Sequence, residues 1–317
     1  MLINNRKIET MLLLTMVWVI SFVLGNLYTD GDQVIYTYLY DGVRGSDIVG
    51  GFSFYRSNIH SVELLHYLFN WIGSNLGIEK VVFYSFVNTF LALYFLLLFR
   101  KWNVSFYIIA IILLTNFYLY VLYFSAERLK LGVIFFLLSF IYVRYSFYFS
   151  ILSILSHFQL IIIYISIIFN KLFVILFGAL VKFKVKYSEL RLISLSVVIF
   201  LLVVFVFSGH LISKFDAYYK LRGVEEIFKI SVFFAFSLWY SKNKLQVILI
   251  FIPIIGAVYF LGGERVNMMG YFVFLFYALQ KKRGINLGVL VTSAYFFYKN
   301  IVFVDNIIMY GEGFNIS

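Results

Sequence analysis

Long apolar runs alternate with short polar segments along almost the whole chain. Eleven of these runs are candidate membrane crossings, and most end in a Lys or Arg cluster or in a stretch rich in Gly, Asp or Asn. About 20 apolar residues in a helix span roughly 30 Å of hydrocarbon, so the pattern predicts a bundle of transmembrane helices. The predicted crossings are 11–28, 81–99, 104–124, 131–143, 147–169, 172–181, 192–207, 227–240, 245–261, 266–279 and 287–304.

One of the predicted crossings, 172–181, is shorter than the others. At about 1.5 Å per residue it covers only half of a membrane. Two interpretations therefore stay open for it. It is either a full crossing or half of a re-entrant hairpin that turns at Asn170 and Lys171.

Composition supports the membrane class. The 317 residues are 63% hydrophobic and only 13% charged, whereas a soluble domain normally carries about a quarter charged residues. The mean hydropathy is +0.94. We therefore predict an all-α polytopic integral membrane protein with a single transmembrane domain over residues 1–317. The chain contains no cysteine, which excludes disulfides and thiol chemistry.

The net charge of +11 is explained by where the charges fall. With a cytoplasmic N-terminus, the predicted cytoplasmic segments hold 14 of the 26 Lys and Arg residues but only 2 of the 15 Asp and Glu residues. This is the asymmetry of the positive-inside rule. It predicts this orientation and removes the need for a nucleic-acid partner.

Two predicted outer segments, 29–80 and 208–226, are too long to be simple turns. Residues 62–76 within the first have apolar residues at helical spacing, which predicts an amphipathic helix at the membrane interface. The chain has no P-loop, no dinucleotide-binding glycine motif and no nucleophile elbow. Any chemistry is therefore expected on the outer face.

Basic residues at the outer ends of two predicted helices are candidates for anion binding. Arg128 lies in Ser-Ala-Glu-Arg-Leu-Lys, and Arg265 lies in Gly-Gly-Glu-Arg. Free backbone N–H groups and the helix dipole already make such ends positive, so an added Arg favours a site for an anion such as a diphosphate. Two alternatives remain: Glu127 and Glu264 pair with their neighbouring Arg residues, or the Arg side chains reach lipid headgroups.

Acidic and histidine residues supply further candidates. Asp30 and Asp32 follow the first helix, where they suit a metal ligand or a base but also an ordinary loop. His157 is predicted near the middle of the crossing 147–169. An ionisable side chain there usually faces a cavity or a partner, although a neutral His bonded to another helix is equally compatible.

In the order of these features the chain resembles the Wzy-type O-antigen polymerases and the related EpsG-like exopolysaccharide polymerases. Where the family usually shows an Ile-Arg-Gln-like triplet, this chain has Glu127-Arg128-Leu129. The features that carry the resemblance are Asp32 with Tyr36 and Tyr38, Glu63 before a helix, Arg128, Ser156-His157-Phe158, the loop from Lys214 to Tyr219, and Glu264-Arg265 ahead of Tyr271.

The resemblance implies a GT-C-like glycosyltransferase in a bacterial inner membrane that joins lipid-linked oligosaccharide repeat units on the periplasmic face. The donor would be a glycan on undecaprenyl diphosphate, and a sugar hydroxyl of the next repeat unit would attack it. No metal or other cofactor is expected, and membrane lipid, a flippase and a chain-length regulator are expected partners. Arg128, Arg265, Lys214 and Arg222 are the candidates for the diphosphate, and Asp32, Glu63 and His157 are the candidates for the base.

Three other functions remain open. A GT-C glycosyltransferase with a polyprenyl-monophosphate donor would use a divalent metal at Asp30 and Asp32. A lipid-linked oligosaccharide flippase or another transporter usually shows paired repeats, which this sequence lacks. A membrane acyltransferase would need His and Asp placements that are not evident in this sequence.

Overall fold

The computed structural model describes residues 5–59, 63–182, 186–187, 190–191, 194, 224–261 and 263–314. Within this part of the chain every regular element is helical, as predicted. The chain divides into two compact units, Met1–Leu160 with Lys282–Ser317, and Ile161–Lys281. Each unit is considered separately below.

The described residues form ten α-helices in the first unit and four in the second. In chain order they are α1 Asn5–Leu27, α2 Asp32–Gly42, α3 Ile48–Ile59, α4 Leu64–Asn75, α5 Lys80–Lys101, α6 Phe106–Thr115, α7 Phe117–Tyr120, α8 Glu127–Ile141, α9 Ser146–Ser156, α10 Ile161–Lys182, α11 Val224–Tyr240, α12 Lys244–Leu261, α13 Gly263–Ala278 and α14 Leu287–Tyr310. Helices α10 to α13 form the second unit.

Several helices are long and apolar enough to cross a membrane. Among the described residues there are four such helices, or up to six if each of two bent pairs is one span. The four are Arg6–Leu27, Lys80–Lys101, Phe158–Val181 and Lys282–Tyr310. These helices are compatible with the predicted membrane class, whereas the count of eleven is not confirmed. Apart from Ser194, the predicted crossing 192–207 lies outside the described residues.

The region 147–182 differs from its prediction. Helix α9 ends at Ser156, His157 has an extended backbone (φ −156°, ψ 113°), and a short 3₁₀ turn, Phe158–Leu160, leads into α10. His157 therefore lies at a break, and the prediction of one crossing with His157 in its middle is wrong. The predicted turn at Asn170 and Lys171 is also wrong, because α10 continues through both residues.

The first predicted outer segment folds into α2, α3 and α4 around an aromatic core. Tyr36, Tyr55 and Tyr67 are almost completely buried in it. The Tyr67 hydroxyl donates to Ile48 O at 2.6 Å, and Trp71 Nε1 donates to Ser46 O at 2.9 Å. The predicted helix at 62–76 is confirmed as α4, although its buried face also carries the polar residues His66 and Asn70.

The path from α6 to α8 is broken twice. Helices α6 and α7 meet at an angle of 55°, and a π-helical turn, Val121–Ser125, follows before α8 begins. Irregular backbone inside a membrane needs other partners for its carbonyl groups. Here the Tyr123 carbonyl accepts from Lys130 Nζ at 2.7 Å and from Asn88 Nδ2 at 3.1 Å, and the Phe124 carbonyl accepts from Gln33. The break thus brings polar side chains together.

The second unit is built on aromatic packing. Phe233 of α11 packs against Tyr271 and Phe274 of α13, with ring centroids 5.5 and 6.2 Å apart. At the other end of α11, Asn267 Nδ2 donates to the Glu226 carbonyl oxygen at 3.1 Å. Lys229 Nζ lies 2.7 Å from Glu226 Oε1 and 3.1 Å from Glu225 Oε1, so it pairs with both carboxylates at this end of the helix.

Candidate functional site

Glu63, Arg128 and His157 meet inside the first unit, although Arg128 is 65 positions and His157 is 94 positions after Glu63 in the sequence. Arg128 Nη1 donates to Glu63 Oε2 at 2.9 Å, and His157 Nδ1 lies 2.5 Å from Glu63 Oε1. The other ring nitrogen, His157 Nε2, lies 3.1 Å from Gln159 Oε1. Both carboxylate oxygens of Glu63 therefore have a partner, and the Glu63 carboxylate links Arg128 to His157.

Local backbone structure places each of the three residues. Glu63 immediately precedes α4, Arg128 is in the first turn of α8, and His157 is at the break after α9. Helices α8 and α9 approach closely at Gly132, where an added Cβ atom would lie 3.2 Å from the Ser153 carbonyl oxygen and 3.3 Å from His157 Cβ. The absence of a side chain at Gly132 allows this approach and so positions the imidazole.

Glu63 lies outside the candidate spans and is almost completely buried. Burial by itself would raise the pKa of its carboxyl group, but the hydrogen bond from His157 and the charges of His157 and Arg128 outweigh it and lower the pKa to about 2. Glu63 is therefore ionised at neutral pH. A carboxylate with so low a pKa is a weak base, which suits it to orienting His157 and Arg128.

This low pKa predicts acid sensitivity. A group whose pKa is depressed in the folded protein stabilises it above the unfolded value of 4.5, and that stabilisation is lost as the pH falls toward 2. For Glu63 it is on the order of 3 kcal/mol at neutral pH. The difference in Tm between the wild type and Glu63→Gln should therefore narrow from pH 6 to pH 3. A constant difference over that range would contradict the ion pair.

Lys80 and Glu127 form a second set of charges beside Glu63, Arg128 and His157. Lys80 Nζ, at the start of α5, lies 3.2 Å from Glu127 Oε1. Lys80 also donates to Gln33 Oε1 at 2.6 Å and to Thr37 Oγ1 at 3.1 Å. The alternative that Glu127 pairs with its neighbour Arg128 is wrong, because α8 directs the two side chains to different partners. Lys80 was not predicted as a site residue, because in the sequence it is the last residue of the outer segment 29–80.

Lys130, one turn after Glu127, is completely buried. Besides its bond to the Tyr123 carbonyl, its ammonium lies 4.8 Å from the centre of the Tyr84 ring, within the range of a cation–π interaction. Lys130 was also missed, although a buried Lys in a membrane helix is by itself a functional signal. Its partners were not visible in the sequence because one is a backbone carbonyl freed by the π-helical turn.

His66 joins the two sets of charges. Its Nδ1 lies 2.8 Å from the Tyr55 hydroxyl, its Nε2 lies 3.2 Å from the Tyr84 hydroxyl, and Glu127 Oε2 is 3.8 Å away. Burial lowers the pKa of His66, although Glu127 opposes the shift, so the imidazole is neutral at pH 7. We call Glu63, His66, Lys80, Glu127, Arg128, Lys130 and His157 the charged cluster.

A small, partly open cavity of about 50 Å³ lies next to Lys80 and Glu127. It adjoins a larger cleft of about 650 Å³ between α1, α2 and α5, and the two share Gly25, Tyr28, Thr37 and Val81 as lining residues. The cleft is further lined by Val34, Tyr38 and Asp41. The cleft therefore lies directly beside the cavity that borders the charged cluster.

The remaining predicted site residues are placed elsewhere or lie outside the description. Asp32 begins α2, and its charge acts on the Tyr28 and Tyr36 hydroxyls. Arg265 lies near the start of α13 in the second unit. Lys214 and Arg222 lie outside the described residues. Within the described part of the chain no three His, Asp or Glu side chains are grouped as a metal site, Asp30 and Asp32 included.

Comparison with known proteins adds no relative to this geometry. No protein-family model, no curated protein and no solved structure matches the chain. The function is therefore inferred from the chemistry of the charged cluster and from the resemblance of the sequence to the Wzy-type and EpsG-like polymerases.

Proposed function

We propose that the chain is a membrane glycosyltransferase that polymerises oligosaccharide repeat units linked to undecaprenyl diphosphate, as the Wzy-type and EpsG-like polymerases do. The proposal includes a GT-C-like bundle of about eleven crossings, a cytoplasmic N-terminus, and a reaction on the outer face of a bacterial inner membrane. It is supported by the asymmetric distribution of basic residues and by the candidate spans among the described residues.

The meeting of Glu63, Arg128 and His157 is the observation that carries the proposal. Each was singled out from its own sequence motif, and the three are linked through the two oxygens of one carboxylate. A purely structural set of ion pairs would not need to follow the order of motifs in the polymerases. Burying these charged side chains also costs free energy, because they lose their hydration. This cost favours a functional reason for their burial.

The proposed reaction is a displacement at the anomeric carbon of the donor glycan. The acceptor hydroxyl forms the new glycosidic bond, the bond from carbon to the diphosphate oxygen breaks, and undecaprenyl diphosphate leaves with the bonding electrons. The hydroxyl proton passes to a base within hydrogen-bond reach. In its neutral form, with the proton on Nδ1, His157 suits this role, because Glu63 orients the ring through Nδ1–H and Nε2 can accept the proton once Gln159 is displaced.

Arg128 is placed to stabilise the charge that develops on the leaving diphosphate. Its Nη1 is engaged by Glu63, while its buried Nε has no hydrogen-bond partner among the described residues. Preorganised cations at a developing oxyanion lower the barrier because they need no reorganisation during the reaction. We propose Arg265, Lys214 and Arg222 as further diphosphate contacts and Asp32 as the alternative base.

Elongation without a divalent metal tests the proposal. The purified protein, reconstituted with synthetic undecaprenyl-diphosphate-linked repeat units, should lengthen them on a gel in excess EDTA, since Arg128 and its basic partners stabilise the leaving group. With a monophosphate donor, Asp30 and Asp32 would hold the ion, and chelation would stop turnover. Loss of elongation in EDTA with recovery on adding Mg²⁺ or Mn²⁺ would overturn the metal-free mechanism, and translocation without elongation would favour a flippase.

A further inference from the structure

Three residues that line the cavity beside the charged cluster carry oxygen atoms that lack hydrogen-bond partners among the described residues. They are Ser21 Oγ, Asn88 Oδ1 and Glu127 Oε2, and all three side chains are more than nine-tenths buried. His66 Nε2 lies 3.8 Å from Glu127 Oε2, a separation that exceeds hydrogen-bond length. A buried acceptor without a donor is costly, so an occupant that donates hydrogen bonds is expected.

Charge decides which kind of donor fits. A cation is disfavoured because Lys80 lines the cavity and Lys130 lies one turn of helix from Glu127. An anion is disfavoured because two of the three unpartnered atoms, Asn88 Oδ1 and Glu127 Oε2, can only accept hydrogen bonds. Lys80 also has no donor left for an anion, since its three N–H groups already face Gln33, Thr37 and Glu127. The occupant is therefore neutral and carries O–H or N–H groups.

The volumes of the cavity and of the adjoining cleft further limit which molecules can bind there. A cavity of about 50 Å³ admits a hydroxyl-bearing edge of a sugar or a few water molecules, and the adjoining cleft of about 650 Å³ has room for a sugar ring. Tyr38, at the cleft, is 56% exposed and offers an aromatic face. Asp41, which lines the cleft as well and is paired with Arg44, offers carboxylate oxygens that accept hydroxyl hydrogen bonds.

We propose that the cavity and its cleft bind a neutral, hydroxyl-bearing sugar headgroup, with Ser21, Asn88 and Glu127 accepting its hydrogen bonds. Its identity as the acceptor subsite rests on the proposed function, because the acceptor is the substrate whose free hydroxyl must approach the charged cluster. The recognition of a neutral sugar does not depend on that function. Resident water is the other source of the same hydrogen bonds, and the experiment below separates the two.

A unique thiol in the cleft reports occupancy, because the chain has no native cysteine. Val34→Cys places the thiol in the cleft, and Val49→Cys, at an exposed valine that lines neither cavity nor cleft, is the matched control. Each variant, in phosphatidylcholine vesicles, is alkylated with N-ethylmaleimide in the presence of octyl glycosides of three neutral sugars, octyl phosphate or octanol. At least one glycoside should slow alkylation of Val34→Cys severalfold, and octanol, octyl phosphate and the control should show no effect.

A second substitution tests the cavity itself. Ser21→Ala in the Val34→Cys background removes one acceptor and no existing hydrogen bond, so it should raise the half-protecting glycoside concentration about 2- to 10-fold. Protection by octyl phosphate alone would assign an anion site instead. Equal protection by all probes, protection by none, or no effect of Ser21→Ala would assign the cavity to resident water. Glycoside protection without elongation of repeat units would keep the sugar site and reject the polymerase.

Discussion

Replacement of Arg128 by alanine is expected to abolish polymer or shorten it severely while the protein still accumulates in the membrane. Removal of one preorganised donor at a developing oxyanion typically lowers the rate about 10²- to 10³-fold. Arg128→Lys should recover only part of it, because the planar, bidentate guanidinium is lost. Arg44→Ala removes an exposed Arg paired with Asp41 and is the control. Polymer length on a gel and quantitative immunoblotting of the membrane fraction measure the result.

A double variant separates catalysis from simple neutralisation of Glu63. If Arg128 served only to balance that carboxylate, then Arg128→Ala would cost no further polymer once Glu63 is already Gln, because Glu63→Gln alone and the double variant would make equal amounts. If Arg128 stabilises the leaving diphosphate, the double variant should make much less polymer than Glu63→Gln alone at similar stability. Normal polymer in Arg128→Ala, or equal polymer in the double variant and in Glu63→Gln, would leave the diphosphate role without support. Arg265→Ala is expected to impair the polymer in the same way.

Gly132→Val is expected to destabilise the first unit and to inactivate it. The first added atom already lies 3.2 Å from the Ser153 carbonyl oxygen, which is backbone and cannot rotate away. Ser153 Oγ also donates to the Gly132 carbonyl at 2.9 Å, so separation of α8 from α9 would strain that bond as well. Overpacking of this kind typically costs about 1–3 kcal/mol. The Tm should fall by several degrees, and His157 should lose its contact with Glu63.

Gly178→Val is the matched control for this substitution. Gly178 lies within α10, and among the described residues no atom outside the backbone of its own helix lies within 4 Å of the position of an added Cβ. Its Tm and activity should stay close to those of the wild type. If both valine variants lost stability equally, the cause would be the β-branched side chain in a helix and not the close approach of α8 and α9.

The sequence predicted those parts of the fold that depend on local composition. The first, second and last predicted crossings correspond to α1, α5 and α14 within a few residues at most ends, because an uninterrupted apolar run is a strong signal by itself. The break at His157 could not be predicted in this way. The sequence Leu155-Ser156-His157-Phe158-Gln159 contains no Gly or Pro, and the extended backbone there accompanies tertiary contacts with Glu63.

The candidate site was predicted only in part for the same reason. Glu63, Arg128 and His157 were identified by type and position, whereas their contact depends on packing between distant segments. Lys80 was missed because its partner, Glu127, is 47 positions away. Asp32 and Arg265 were also predicted as site residues, but the structure places them apart. Asp32 lies near the hydroxyls of Tyr28 and Tyr36, and Arg265 belongs to the second unit.

In the charged cluster, most cations follow their hydrogen-bond acceptors in the sequence, and this order has a consequence for biosynthesis. The cations emerge after their partners: Lys80 after Gln33 and Thr37, Arg128 after Glu63, and Lys130 after the Tyr123 carbonyl. A chain leaves the ribosome from its N-terminus, so each positive side chain meets an already synthesised acceptor as its helix enters the membrane. The energetic barrier to inserting these ammonium and guanidinium groups is thereby lowered one helix at a time. Two side chains wait until α8 is made: Glu63 for Arg128, and Lys80 for the carboxylate of Glu127.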